Sequence, residues 1–147
     1  MMKIEFIHES PPCNEFKLKE HIYDLLEVMI PPLENRVDIN SYIHKIASFA
    51  DVIYAKLDGI IIGSCAVYLN SEEGFITSIG VLEPYMGIGV GTLLLDKAIK
   101  LSREKKIDSV SLKVHVSNKK AFNFYIKNGF KVADTIESWF IMKINIH

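Results

Sequence analysis

The residues best suited to chemistry are three glycines on alternate positions, Gly87, Gly89 and Gly91, which follow a predicted strand and open a predicted helix. Glycine has no Cβ, so the backbone N–H groups of such a turn can come close to a ligand. The first N–H groups of a helix have no partner inside it and lie at the positive end of its dipole. The spacing therefore predicts a site for a phosphate or diphosphate, to which the Thr92 hydroxyl could add a donor.

Three other interpretations of these glycines can be compared. The simplest is a tight turn that serves packing alone. A P-loop needs Lys followed by Ser or Thr after its last glycine, where this chain has Thr92 and Leu93. A Rossmann fingerprint, G-x-G-x-x-G, would end in a glycine at position 92 or 94, where this chain has Thr92 and Leu94. It also needs an acidic residue about 20 positions later, just past the next strand. That later region reads Val114-His115-Val116, so the spacing disfavours both nucleotide-binding motifs.

The same segment resembles the diphosphate loop of the GNAT superfamily of N-acetyltransferases, which has the form Arg/Gln-x-x-Gly-x-Gly/Ala. The segment from Met86 to Gly91 matches it everywhere but at the first place, where Met86 stands for Arg or Gln. A second family signature, Asn-x-x-Ala-x-x-Phe/Leu-Tyr-x-x-x-Gly-Phe, occurs in full from Asn118 to Phe130. Two signatures in the family's order are far more specific than one Gly-rich turn, and the resemblance covers roughly residues 51–145.

The resemblance implies one domain, residues 1–147, of the α+β (mixed α/β) class, with a central twisted mixed β-sheet flanked by about four helices. Residues 51–145 would form an acetyl-CoA-binding core, and residues 1–50 a helical acceptor-side region. Acetyl-coenzyme A would be the co-substrate, with its pantetheine arm between two strands that splay apart. The residues implied in binding it are Ile79, Gly80, Val81, Met86, Gly87, Ile88, Gly89, Val90, Gly91, Thr92, Asn118 and Tyr125.

Two side chains of the second signature have implied roles. Asn118 would bond the pantetheine arm, or it could simply cap the last helix, which Ser117 could also do. Tyr125 resembles the family's general acid, since a phenol with an ordinary pKa of about 10 is protonated near pH 7 and can protonate a departing thiolate. The alternative for Tyr125 is a place in the core, which we predict for Phe122 and Phe124.

The sequence does not identify a general base that would accept the amine proton. The candidates are Glu72 or Glu73 at the start of a strand, Glu83 beside a proline, His115 after the next strand, and a chain of waters. Each of these side chains could equally be an ordinary polar surface residue. We therefore assign the role to none of them.

Hydrophobic periodicity predicts the elements that position these groups. The predicted helices span residues 15–29, 38–50, 90–105 and 118–128. The predicted strands span residues 52–57, 60–69, 74–82 and 109–114, with two more between Phe130 and Ile144. Asp38 or Asn40 would cap the second helix, Asp58-Gly59 would turn a hairpin, and Gly129 would end the last helix. Gly80 inside a strand indicates a bulge or a close approach of the backbone.

Composition narrows the class of protein. The 147 residues are 49% hydrophobic and 24% charged, with a formal net charge of −1, which is typical of one soluble domain. The chain has no basic stripe of the kind that predicts nucleic-acid binding. No apolar run reaches the ~18 residues needed to span a bilayer. The first residues are too polar for a signal peptide, so the expected location is cytoplasmic. Cys13, Cys65 and the scattered histidines predict no disulfide framework and no metal site, and Cys65 is expected to be buried.

These observations predict an acetyl-CoA-dependent N-acetyltransferase that moves an acetyl group directly to a primary amine of a small molecule, with a protein amine as the less favoured acceptor. The early helices and residues 31–36 would wall the acceptor site. The alternative is a non-catalytic module that binds an acyl-CoA as a sensor. Exposed edge strands near the carboxyl terminus would permit a homodimer.

Overall fold

Seven strands pair into one mixed sheet, and helices pack on both of its faces, in a computed structural model that describes residues 3–29, 32 and 38–146. The strands are β1 Ile4–Glu9, β2 Asp51–Leu57, β3 Ile60–Tyr68, β4 Glu73–Val81, β5 Ser109–His115, β6 Lys131–Ile136 and β7 Trp139–Asn145. The helices are α1 Glu15–Leu25, α2 Ile39–Phe49, α3 Val90–Glu104 and α4 Lys119–Lys127, with 3-10 turns at Leu26–Val28 and Glu83–Tyr85. The predicted fold class is confirmed.

The strand order is β1-β2-β3-β4-β5-β7-β6, and only β4 and β5 run parallel. The first predicted strand begins at residue 52, but in the structure β1 already precedes α1 and pairs with β2 from Ile4↔Leu57 to Glu9↔Val52. This strand alternates apolar and polar residues over only six positions and lies at the edge of the sheet. A short alternating segment of this kind is a weak signal beside the longer runs that form the central strands.

Local signals set the ends of several elements. Asn14 caps α1 by accepting a hydrogen bond from Lys17 N at 3.0 Å, and Asp38 caps α2 by accepting one from Asn40 N at 3.2 Å. Asp58 and Gly59 have φ values of 50° and 81°, as a two-residue turn between β2 and β3 requires. The first helix ends at Leu25 and not at residue 29 as predicted, because the chain tightens into a 3-10 turn.

The sheet separates two apolar clusters. Helices α3 and α4 cover one face, where Leu94, Leu95, Val110 and Leu112 are buried. Helices α1 and α2 cover the other face, and their fully buried residues include Leu18, Ile22, Ile43 and Ile46. Cys65 is buried in the first cluster as predicted, and Phe122 and Phe124 pack against that cluster as predicted.

The edges of the sheet are β1 and β6, and all six residues of β6 are exposed. A homodimer through such an edge stays a prediction. Within residues 3–29, 32 and 38–146, no helix has the length and apolar character needed to cross a bilayer. The same residues contain no group of three or more His, Cys, Asp or Glu side chains that could hold a metal ion.

A buried histidine lies between α1 and the sheet. His21 is 3% exposed, and its ring packs edge-on against Tyr54 of β2 with 5.9 Å between ring centroids. Neither ring nitrogen has a hydrogen-bond partner among the described residues. Burial lowers the pKa of His21 from its ordinary 6.5 to about 4, although Asp24 acts in the opposite direction. The imidazole is therefore neutral in the folded protein at pH 7.

We expect acid to destabilise the fold through His21. The unfolded chain binds this proton near pH 6.5 and the folded chain only near pH 4, so the free energy of unfolding falls as pH falls between these values. For this group the full loss is about 3 kcal/mol. His21→Phe keeps a ring against Tyr54. Between pH 7 and pH 4.5 its free energy of unfolding, measured in urea, should fall by about 2 kcal/mol less than that of the native sequence. Equal losses in both proteins would contradict this account.

Candidate active site

The two parallel strands of the sheet separate soon after they begin. β4 and β5 pair only at Glu73↔Ser109, Gly74↔Val110 and Phe75↔Ser111, although β4 continues to Val81 and β5 to His115. Beyond Phe75 and Ser111 the two strands therefore border a gap that widens toward their carboxyl ends. We call this opening the β4–β5 gap.

One hydrogen bond shows which backbone groups of β4 face the gap. Leu82 N, one residue past the end of β4, donates to Ile62 O of β3 at 2.8 Å. Successive residues of a strand direct their N–H and C=O groups to opposite sides. Gly80 therefore directs its backbone groups to β3, whereas Ile79 and Val81 direct theirs into the β4–β5 gap.

The predicted contact of Gly80 with a pantetheine arm stays a prediction. The alternation directs its backbone groups toward β3, where Gly80 is paired with Ser64. A Cβ on Gly80 would lie 3.2 Å from Leu25 Cδ2, so the glycine lets α1 pack closely on β4. The bulge that Gly80 suggested lies instead at Thr77, between the pairs Ile76↔Val67 and Ser78↔Ala66.

The Gly-rich loop connects the turn after β4 to α3. Gly87 and Gly89 have φ values of 81° and 90°, in the left-handed region that glycine adopts without strain. The first helical hydrogen bond runs from Leu93 N to Gly89 O at 3.1 Å. The N–H groups of residues 90–92 precede it and have no acceptor inside the helix. Gly89 is the N-cap and makes no side-chain capping bond.

Two observations fit this loop to a diphosphate. A Cβ built on Gly87 or Gly89 would meet no heavy atom of the described residues within 4 Å, so the space beside both backbones is open. The helix amides and the positive end of the α3 dipole favour an anion in that space. Ile88 and Met86 are 48% and 36% exposed and bring no charge. The attraction at this loop therefore comes from the backbone.

Gly91 brings the second signature next to the loop. A Cβ on Gly91 would lie 3.5 Å from Phe124 Cζ, which is an ordinary contact distance. Phe124 belongs to α4, so α4 packs against the first turn of α3. The two sequence signatures are therefore neighbours in space.

Asn118, and not Ser117, caps α4. Asn118 Oδ1 accepts a hydrogen bond from Ala121 N at 3.2 Å, while Ser117 Oγ lies 2.7 Å from His115 Nδ1. The Nδ2 group of Asn118 is a separate donor that capping does not use. Capping and a contact to a pantetheine arm are therefore compatible roles for this residue.

Tyr125 is a buried residue of α4. It is 7% exposed and packs against Phe124 and Phe130, with ring centroids 5.2 and 5.7 Å away. Burial raises the pKa of Tyr125 well above its ordinary value, and Cys65 acts in the same direction. Cys65 is paired with Ile79 of β4, and it belongs with Tyr125 to the cluster on this face of the sheet. The hydroxyl therefore keeps its proton at neutral pH.

Two of the candidate bases lie at the wrong end of the gap. Glu73 pairs with Lys143 at 2.9 Å, and its pKa is lowered by hydrogen bonds from Lys143 and Ser111 despite partial burial. It lies where β4 and β5 are still paired, and Glu72 immediately precedes it. With about 3.3 Å per residue, Glu73 is about 26 Å from Val81, so neither carboxylate can reach an amine at the wide end.

The other two candidates lie at the wide end. His115 Nδ1 accepts a hydrogen bond from Ser117 N at 3.1 Å, and its ring packs edge-on against Trp139. In the neutral ring the proton is then on Nε2, and the single lone pair is already engaged. Glu83 is exposed in the 3-10 turn after β4, so its carboxylate is accessible.

Tyr42 of α2 was not singled out by the sequence. Its hydroxyl donates to Thr77 O at 2.7 Å and accepts from Thr77 Oγ1 at 3.2 Å. This contact depends on a bulge and on helix–sheet packing, which have no local sequence signal. Of the segment predicted to wall the acceptor site, residues 31 and 33–36 lie outside the described residues.

Comparison with known proteins agrees with this geometry. The model of the acetyltransferase (GNAT) family matches residues 19–130. An N-alpha-acetyltransferase of Sulfurisphaera tokodaii is 39% identical over 70 residues, which cover 47% of this chain and 42% of that protein. A spermidine N(1)-acetyltransferase of Thermoplasma acidophilum is 34% identical over 95 residues, which cover 63% of this chain and 59% of that protein. The matched segments thus span roughly half the length of the curated relatives.

A solved structure is similar along nearly the whole chain. The crystal structure of the PaiA N-acetyltransferase from Thermoplasma acidophilum in complex with coenzyme A has a TM-score of 0.73 and 25% sequence identity. The similarity covers 98% of this chain and 99% of that one.

Proposed function

The chain belongs to the acetyltransferase (GNAT) family, and on this premise we propose that it transfers an acetyl group from acetyl-coenzyme A directly to a primary amine. One observation carries the proposal: the amides at the start of α3, which have no acceptor inside the helix, border open space beside Gly87 and Gly89, and α4, which carries Tyr125, packs against this first turn. A diphosphate bound by the amides at the start of α3 would direct an attached thioester toward Tyr125.

The chain's own groups divide the binding of the co-substrate among three places. When bound, acetyl-coenzyme A supplies an acyl thioester and a diphosphate. The amides of residues 87–92 hold the diphosphate, and the backbone groups of Ile79 and Val81 bond the pantetheine arm in the β4–β5 gap. Asn118 Nδ2 adds a donor from the start of α4. The side chain of Met86 contributes apolar contact only.

Tyr125 supplies the proton that the departing sulfur needs. Its raised pKa keeps the hydroxyl protonated, but it also makes the phenol a weaker acid than in water. The same interior has a similar effect on thiols, since burial raises the pKa of Cys65 to about 12. A thiolate that is desolvated beside Tyr125 would likewise be more basic than in water, because burial disfavours the charged form.

The amine must lose a proton when it attacks. Glu83 combines an exposed carboxylate with a place at the wide end of the β4–β5 gap, so we propose that it accepts this proton, directly or through water. The engaged lone pair of His115 and the remote positions of Glu72 and Glu73 disfavour the other candidates.

We propose a small primary amine as the acceptor. A relative named for spermidine matches more of this chain than does the relative named as an N-alpha-acetyltransferase, 63% against 47%, which supports this choice. A protein amine is the second candidate, because the relative named as an N-alpha-acetyltransferase has the higher sequence identity, 39% against 34%. The expected location remains the cytoplasm.

Isothermal titration tests the proposal. We expect acetyl-coenzyme A to bind with a dissociation constant in the micromolar range, about −7 to −8 kcal/mol. Release of free thiol should then follow on addition of spermidine or of a short peptide with a free amino terminus. Binding without thiol release across a broad amine panel would instead favour the acyl-CoA sensor, and no heat with saturating cofactor would contradict both functions.

A further inference from the structure

We infer that Tyr42 is a positioning residue, which holds the bulge of β4 in the register that directs Ile79 and Val81 into the β4–β5 gap. The inference rests on the proposed function, because it assigns a consequence for coenzyme A binding. It concerns α2, a helix of the acceptor-side region, which lies outside both sequence signatures.

The bulge leaves Thr77 without a partner strand on either side. On the β3 side, Ile76 pairs with Val67 and Ser78 with Ala66, so Thr77 is the extra residue. On the β5 side, the last pair involves Phe75. An unpaired backbone carbonyl away from water is costly unless a side chain satisfies it.

Tyr42 supplies that partner from α2. Its hydroxyl donates to Thr77 O at 2.7 Å, and Thr77 Oγ1 donates back to the hydroxyl oxygen at 3.2 Å. The back-donation orients the phenol so that its proton points at the carbonyl. Both bonds end on the one residue that neither neighbouring strand pairs.

The bulge decides which residues face the gap. Side chains and backbone groups alternate along a strand, so one extra residue reverses the alternation beyond it. With Thr77 as the extra residue, Gly80 faces β3 and Ile79 and Val81 face the gap. If the extra residue were lost or moved past Gly80, the backbone groups of Gly80 would face the gap instead.

Tyr42→Phe tests this role, with Tyr54→Phe as the matched control. Both tyrosines lie on the face of the sheet that α1 and α2 cover, but the Tyr54 hydroxyl is buried without a partner among the described residues. We expect Tyr42→Phe to bind coenzyme A about tenfold more weakly in isothermal titration, and Tyr54→Phe to bind as the native chain does. Thr77→Val keeps the carbonyl bond and should weaken binding only about twofold.

A measurement on the free protein separates positioning from general stability. We expect amide hydrogen exchange of residues 76–81 to be faster in Tyr42→Phe than in Tyr54→Phe, while exchange in β5 and β7 is equal in the two variants. If the native chain binds coenzyme A and Tyr42→Phe binds it equally well, the inference is wrong and the proposed function stands. If the native chain does not bind coenzyme A, both are wrong. Uniformly faster exchange throughout Tyr42→Phe would show a structural role only and would also overturn the inference.

Discussion

Replacing Tyr125 by phenylalanine is expected to lower kcat about 100-fold while leaving the affinity for coenzyme A within about twofold of the native value. The ring is 7% exposed and is held by Phe124 and Phe130, so phenylalanine keeps the packing and removes only the hydroxyl. Without that proton, the departing sulfur leaves as a desolvated thiolate, which burial makes unstable. Thiol release at saturating substrates measures kcat, and titration with coenzyme A measures affinity.

Tyr54→Phe is again the control for loss of a buried tyrosine hydroxyl. Burial raises the pKa of Tyr54 as it does that of Tyr125, but Tyr54 lies on the opposite face of the sheet. The control should keep native kcat. A Tyr125→Phe protein with native kcat would remove Tyr125 from the mechanism, and one that lost coenzyme A affinity in proportion would make it a binding residue.

The largest expected effect on binding comes from Gly87→Ala. The added Cβ meets nothing among the described residues, so it would occupy the space that we assign to the diphosphate. We expect coenzyme A to bind at least 30-fold more weakly, a loss of about 2 kcal/mol. Titration calorimetry on the purified variant measures it.

Gly59→Ala is a close control for the backbone. Gly59 and Gly87 share a φ of 81°, and a Cβ on either would have no described heavy atom within 4 Å. Both substitutions should therefore lower the free energy of unfolding by a similar amount, about 1 kcal/mol, from the positive φ alone. Only Gly87→Ala should lose coenzyme A affinity. If the two variants bind it equally well, the diphosphate does not lie against the loop.

Sequence reasoning succeeded where the signal is local. The Asp58-Gly59 turn, the Asp38 cap and the end of α4 at Gly129, with φ 96°, each depend on a few neighbouring residues with strong backbone preferences. The Gly-rich loop and α3 were likewise predicted within one residue, because a loop that opens a helix combines two local signals.

Features that depend on distant parts of the chain could not be predicted. The sequence places Glu73 at the start of a strand, but only the pairing of β4 with β5 shows that this start is the closed end of the gap. The direction of the Gly80 backbone depends on a bulge at Thr77, and the Tyr42 contact depends on where α2 packs. The β6–β7 hairpin was expected, but the insertion of β7 next to β5 is a long-range choice.

The three residue pairs between β4 and β5 have one more consequence. They are the whole ladder that joins two antiparallel sub-sheets, β1 to β4 on one side and β5, β7 and β6 on the other. A molecule bound both by β4 backbone groups and by Asn118, which follows β5, would link the two sub-sheets. Ligand binding should therefore slow their separation most of all, and amides along this seam should gain more protection than those at the outer edges.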